Sequence, residues 1–320
     1  MDTASHVLFG CTIAGLAYVD PQVSHNPILA QAVLFSTVIG SNLPDVDSLV
    51  RLKGYSSYIR HHRGITHSIP ALLICPLLVT WLASMIYHLT EFWYVLYGWT
   101  FLSVVFHVFL DMLNTYGVQC YYPFTKKWIH YDILAIFEPF LFFLHTAGLI
   151  GWIFYHLTPN LVFLCVYLGT IGYIGIRTLQ HNRLARNLQE YFEEPGICHV
   201  LPTFHWFRWQ YVFESDSHFK TGTIYFRTIT HETNYPIEDT NPVIQATLRI
   251  DGVRAFLGFA QMIHVTCKEH QDGYEVCWSD VRFWYNRKLP FGVDVRLDKN
   301  LNVLHHSFGW RKKAWDPPFV

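Results

Sequence analysis

Residues 61–87 read HHRGITHSIPALLICPLLVTWLASMIY, a knot of histidines running directly into nineteen residues without a charge. An apolar stretch of about 17 to 25 residues is what a helix needs to cross the hydrocarbon core of a bilayer. Ile69–Tyr87 meets that length, and the histidines stand at its threshold. Three more apolar stretches follow: Tyr94–Leu110 with His107 inside it, Pro139–Tyr155, and the shorter Leu161–Ile176. Two segments of marginal length, Val7–Val19 and Ile28–Ile39, precede them as a hairpin broken at Asp20-Pro21 and Asn26-Pro27. The sequence therefore predicts a mainly α-helical polytopic membrane domain with four long spans plus a short N-terminal helical hairpin.

The charges divide the chain. Only 15% of the 320 residues are Asp, Glu, Lys or Arg, well under the usual share of about 25%. Residues 1–195 carry nine of the 23 basic residues: Arg51, Lys53, Arg60, Arg63, Lys126, Lys127, Arg177, Arg183 and Arg186. Residues 196–320 hold the other 14 beside 13 acidic ones, the balance of an ordinary soluble domain. The expected domains are thus a membrane-embedded helical domain over 1–195 and a cytoplasmic β-rich domain over 196–320. In the second, strands are expected at Thr221–Thr230, Val243–Ile250, Tyr274–Ser279 and Val281–Tyr285, with a helix around Arg254–Met262.

Labelling the loops alternately puts the N-terminus, 41–68, 112–138 and everything after 177 on one side. All nine basic residues fall there, and 20–27, 88–93 and 156–160 have none. By the positive-inside rule that side is cytoplasmic, termini included. No basic n-region precedes the first apolar segment, so no signal peptide is expected. A formal net charge of -1 argues against a nucleic-acid partner. Seven cysteines without a CxxC fit reduced thiols.

Ionisable groups at membrane depth are costly and mark functional sites. Here they recur on the cytoplasmic side. Asp2 and His6 are four apart, and so are His107 and Asp111, which puts each pair on one helix face. Asp45 and Asp47 follow the second short helix, His61, His62 and His67 precede the first long span, and Asp132 and Glu138 precede the fifth helix. Imidazole with carboxylate suits zinc, or manganese and iron where oxygen dominates. More ligands than one four-coordinate ion can use point to a two-metal site of the kind that clamps a phosphoryl or acyl displacement. Each element also has a plainer reading. Asp2 is expected as a helix cap, and His88, His145 and His156 as capping or hydrogen-bonded residues.

The strings Asp2-Thr-Ala-Ser-His6-x-x-x-Gly10, Pro44-Asp45-x-Asp47, His62-Arg-Gly-x-Thr-His67-Ser68 and His107-x-x-x-Asp111-x-x-Asn114-x-x-Gly117 occur in this order. They resemble the bacterial membrane-bound metal-dependent hydrolases of the YfhP and YdjM type, most closely the YfhP kind with its C-terminal extension. The motif order is also distantly similar to the zinc phospholipase C and P1-type nuclease superfamily. The resemblance covers residues 1–140 and leaves the last 125 without a motif. It implies an enzyme of the bacterial inner membrane with one to three divalent ions, zinc first. His6, Asp45, His67, His107 and Asp111 are the implied ligands, joined by His62 and Asp47. Two departures stand out: the superfamily uses a processed N-terminal amine where this chain starts at Met1, and Glu138-Pro139 replaces an expected Asp-Pro.

The leading expectation is hydrolysis of a phosphoester on a lipid or other membrane-associated substrate. Asp47 or Glu138 is the expected general base, and Arg63, Lys126 and Lys127 hold phosphate, unless these three are only positive-inside charge. The expected partners are membrane lipids and a cytoplasmic protein bound by the C-terminal domain. The alternatives are a regulatory or scaffold protein with a structural metal, and a metal transporter. Transport fits less well, because transporter sites lie near the bilayer midplane and these ligands cluster at helix ends.

Overall fold

The computed structural model describes residues 1–237 and 241–311. Ten α-helices occur among them: α1 (Thr3–Leu16), α2 (Pro21–Ser24), α3 (Pro27–Gly40), α4 (Tyr55–His61), α5 (Ile69–Tyr87), α6 (Trp93–Met112), α7 (Pro139–Tyr155), α8 (Pro159–Tyr191), α9 (Pro242–Thr247) and α10 (Asp251–Leu257). The eight strands are β1 (Ile197–Pro202), β2 (Arg208–Glu214), β3 (His218–Tyr225), β4 (Thr228–Pro236), β5 (Ile263–His270), β6 (Gly273–Asp280), β7 (Phe291–Asp298) and β8 (Val303–Trp310). They form two compact units. The first takes Met1–Asp47 and His62–Asn182; the second takes Ser48–His61 and the chain from Arg183 onward.

In the first unit, three helical stretches are long and apolar enough to cross a membrane: Ile69–Tyr87, Thr90–Met112 and Pro159–Tyr191. The expected count of four long spans is not confirmed: Pro139–Tyr155, with 17 residues, is a shorter apolar helix than the other three. A fourth crossing arises only if α3 and the 3-10 helix Leu43–Lys53, bent by 40°, are counted as one broken span. The turn at Ser41–Pro44 makes that bend, since proline cannot continue the ladder and disfavours helix just before it.

The helix starts are chemically explicit. Asp2 caps α1, its carboxylate accepting from Ser5 N at 3.0 Å and from Ser5 Oγ at 2.6 Å, so its plainer reading stands. Asn26 caps α3 through Ile28 N and Leu29 N, and Ser68 caps α5 through Ala71 N. The core of this unit is a cluster of Ala14, Ala17, Leu29, Ala32, Val33, Ala83, Val95 and Leu96 with their neighbours. Small residues of this kind let helix backbones approach closely. Gly10 takes the principle to its limit: a Cβ there would lie 2.4 Å from Ser41 Oγ and 2.8 Å from the Val38 backbone. The α1–α3 contact exists only with glycine at this position.

The second unit holds two four-stranded antiparallel sheets of simple order, β1-β2-β3-β4 and β5-β6-β7-β8. The β-rich expectation is met, with three local corrections. Thr221–Thr230 is not one strand but two, folded back at Phe226-Arg227. Val243–Ile250 is helical over Pro242–Thr247, because Asn241 accepts from Ile244 N at 2.9 Å and Pro242 sits at the first helical position. Val281–Phe283 is a 3-10 turn capped by Asp280, which accepts from Arg282 N at 3.1 Å. The end of α8 joins the first sheet through Leu188, which packs with Val200, Trp209, Tyr211 and Ile224.

Asp280 and Arg282 are fully buried and paired at 2.6 Å, with the guanidinium 5.2 Å from both the Phe259 and Phe283 rings. Removing one member of such a pair strands a charge in the core, at a cost of about 3–5 kcal/mol. Asp280→Ala is therefore expected to lower unfolding stability by about that amount, measured by denaturant titration of the full chain in detergent. A change under about 1 kcal/mol would contradict the buried-pair account.

Candidate metal centre

Four chain segments meet at one end of α1 and α6. His6 comes from α1, Asp45 and Asp47 from the 3-10 helix after α3, His62, Arg63 and His67 from the approach to α5, and His107 and Asp111 from one face of α6. His6, His67, His107 and Asp111 are each at most 1% exposed, and Asp47 is 8% exposed.

The atoms form a definite figure. His67 Nε2 and His107 Nε2 are 3.3 Å apart. Asp45 Oδ1 lies 3.6 Å from the first and 3.7 Å from the second. Asp111 Oδ2 lies 3.5 Å and 3.7 Å from the same two nitrogens. The edge of a coordination tetrahedron is 1.63 times its bond length, so bonds of 2.0–2.2 Å give edges of about 3.3–3.6 Å. Three of the five edges fall in that range, and the two at 3.7 Å lie just above it.

The hydrogen-bond network directs lone pairs into the figure. His107 Nδ1 lies 2.6 Å from the Ser41 carbonyl, which can only accept, so Nδ1 carries the proton and Nε2 is basic. Thr66 Oγ1 donates to Asp47 Oδ2 at 2.5 Å and accepts from His67 Nδ1 at 3.1 Å, which makes His67 Nε2 basic as well. Two basic nitrogens therefore face each other with no proton to share. Asp45 Oδ1 is buried without a hydrogen-bond partner. Asp111 Oδ2 has the Arg63 guanidinium at 3.0 Å but no hydrogen bond of normal geometry. Two nitrogen and two oxygen donors aimed at one point fit a divalent cation, and Asp45, His67, His107 and Asp111 are together a group that could hold one.

The other expected site residues fall into different places. His6 stacks on His107 with ring centroids 3.7 Å apart and lies 3.6 Å from Asp111 Oδ1, to which the Met1 amine also donates. His62 belongs with Asp45 and Asp47 to a second group that could hold an ion. Its Nδ1 is 2.6 Å from Asp47 Oδ1, a hydrogen-bond distance shorter than a coordination edge. Asp47 also accepts from Arg63 N at 2.8 Å and from Thr66 Oγ1, so it positions its neighbours and is not an unengaged base.

Glu138 does not join the cluster. Its oxygens accept from Ala135 N and Tyr173 Oη, both at 2.7 Å. Arg63 turns inward, donating to Asn114 Oδ1 at 3.0 Å beside Asp111, which leaves its expected phosphate role without an outward-facing group. Lys126 and Lys127 are exposed on a hairpin joined by the Val118–Ile129 bridge. That hairpin is tied to the site through Gln119 N and the Arg63 carbonyl at 2.9 Å.

His145 lies elsewhere, held between Thr12 Oγ1 at 2.8 Å and Thr170 Oγ1 at 2.9 Å, as its hydrogen-bonded reading requires. His88 and His156 end α5 and α7 in left-handed conformation. The groups missed in the sequence are the Ser41 carbonyl, the Thr66 hydroxyl and Asn114. The last two stand inside the Arg-Gly-x-Thr-His-Ser and His-x-x-x-Asp-x-x-Asn strings, which was the available signal.

A helical unit with apolar spans and a buried His/Asp cluster, joined to a unit of two antiparallel sheets, defines a class of membrane protein. Residues 1–184 match the family described as YdjM inner membrane protein, and residues 242–315 match the YfhP C-terminal alpha/beta plait domain. The chain belongs to the YdjM inner membrane protein family. A relative from Bacillus subtilis (strain 168), named uncharacterized protein YfhP, is 33% identical over 314 residues, 97% of this chain and 95% of the relative. No solved structure matches.

Burial, reinforced by His107 and Arg63, holds the His67 imidazolium well below its ordinary value of 6.5. As pH falls through 6.5 the unfolded chain takes up this proton first, so the contribution of His67 is full above that pH and declines below it. The expected slope for this one group is about 1.4 kcal/mol per pH unit. Thermal unfolding of chelator-treated protein between pH 8 and 5 measures it, and a flat profile would contradict a neutral buried His67.

Proposed function

We propose that this protein is an integral-membrane metal-dependent hydrolase acting on a phosphoester of a lipid or membrane-associated substrate. The observation that carries the reading is the set of four donor atoms from Asp45, His67, His107 and Asp111, five of whose six separations are 3.3–3.7 Å. Zinc suits two imidazoles and two carboxylates best, with manganese or iron as outcomes of metal analysis. A cation held by these four donors would need a fifth coordination position for water or a phosphoryl oxygen, and there it would act as an electrophile and lower the pKa of water toward 7.

The chain's own groups divide the remaining work. Asp47 Oδ1 holds His62 Nδ1–H, which makes Nε2 the basic atom and the proposed proton acceptor. Thr66 and the Ser41 carbonyl fix the two ligand tautomers. Arg63 balances the carboxylate of Asp111. Lys126 and Lys127 are the proposed attraction for an anionic substrate arriving along the membrane. The distribution of basic residues supports a cytoplasmic site in the inner membrane. His6, opposite Asp111 Oδ1, is the proposed place for a further ion. The motif-order similarity to zinc phospholipases C and P1-type nucleases is part of this reading.

The test is metal analysis of protein purified in mild detergent, with phosphodiester and phospholipid hydrolysis assayed alongside. At least one divalent ion per chain is expected, and Asp111→Asn or His107→Ala should lose the ion and activity together. Thr66→Val should weaken metal affinity by about 10–100-fold while leaving the ligands in place. Full hydrolysis by Asp111→Asn would end this reading. Stoichiometric metal without turnover on any phosphoester would favour the structural-metal alternative.

A further inference from the structure

One end of the first sheet carries an aromatic tip that neither family match covers. It is built from two neighbouring turns, Thr203–Phe207 between β1 and β2 and Phe226-Arg227 between β3 and β4. Phe226 N donates to the Phe207 carbonyl at 3.1 Å, and the two rings stack with centroids 4.5 Å apart. Trp206 and Tyr225 flank the pair. These are not core residues: Phe204 is 65% exposed, Tyr225 58%, Phe226 55% and Phe207 49%.

Three further observations say what covers the tip. The first is charge. Arg208 and Arg227 are exposed among these rings, and neither 197–213 nor 217–231 contains a single Asp or Glu. The second is backbone. Phe226 has φ 53°, at the turn position where glycine is the usual occupant. A bulky residue held there stores about 1–3 kcal/mol of strain, yet most of its ring faces outward. The third is attachment. This unit is covalently continuous with α8, whose apolar part is long enough to span, so a bilayer is always within its neighbourhood. Aromatic rings with arginines are the composition favoured at the headgroup level of membranes.

We propose that this tip is a membrane-surface anchor, inserting Phe204, Phe207 and Phe226 among lipid headgroups while Arg208 and Arg227 bind anionic lipid phosphates. The inference is independent of the proposed hydrolysis. The turn at Ser215–Ser217 closes the opposite end of β2 and β3 and serves as an internal control, since it carries Asp216 and no large apolar residue.

The experiment is hydrogen exchange on the full-length protein in nanodiscs of phosphatidylcholine alone or with phosphatidylglycerol. Each arginine beside an anionic surface contributes a factor of about five. Exchange at 203–208 and 225–228 is therefore expected to slow by roughly twenty-five-fold with phosphatidylglycerol. The 215–217 turn should be unchanged. The double variant Arg208→Glu with Arg227→Glu should abolish the difference, and Phe226→Gly, which suits the backbone, should reduce it without unfolding the sheet. Equal exchange in both nanodiscs would overturn the proposal. So would protection that follows protein concentration and not lipid charge, because that marks contact between copies of the chain.

Discussion

The hydrogen bond from His107 Nδ1 to the Ser41 carbonyl is the constraint on which the candidate centre depends. Its 2.6 Å length fixes one tautomer, and that tautomer turns the ring's basic nitrogen toward His67 and the two carboxylates. The carbonyl is available only because α3 ends just before it, at Gly40. The same bend delivers Asp45 and Asp47 to the cluster. A break in one helix thus becomes the orienting element for a ligand on another. Such breaks in the membrane are tolerated where the freed backbone groups find partners inside the protein.

The sheet unit is held by different physics. Its stability draws on Trp209, Tyr211, Phe213 and Phe291 at full burial and on one ion pair closed between aromatic faces. The helical unit combines alanine and glycine contacts with buried Leu29, Leu96 and Phe163, and leaves many other large apolar side chains outward: Leu78, Trp81 and Ile171 are all well exposed. In lipid, outward leucine is no liability, because there is no hydrophobic gain from helix association there. The low charge of the first 195 residues accompanies this outward apolar surface, and the ordinary charge of the rest accompanies the sheets.

Much of this was legible beforehand, for physical reasons that can be named. The apolar lengths of Ile69–Tyr87 and of the segment around His107 are unambiguous, and the i, i+4 spacing of His107 and Asp111 survives any packing. Convergence of Asp45, His67, His107 and Asp111 was legible in their place at corresponding ends of successive apolar segments. Glu138 misled because proximity in the loop order says nothing of who accepts from Tyr173 and Ala135. Arg63 misled because positive charge reads the same whether it faces a phosphate or Asp111. Period two misled at Val243–Ile250, where the cap at Asn241 and Pro242 outweighed β-branched composition. No sequence pattern could have revealed the Ser41 carbonyl, since every residue has one.

Gly10 has a consequence for how the protein is made. The close approach it permits brings α1 against the end of α3, and the centre then needs α6 and the approach to α5 as well. Its four donors come from three stretches that leave the ribosome in succession. A nascent chain carries the complete set once Asp111 has been made, and an ion could be captured only after the segments that bear the donors have packed. Ion loading would therefore report that the end of α3, the approach to α5 and α6 have come together.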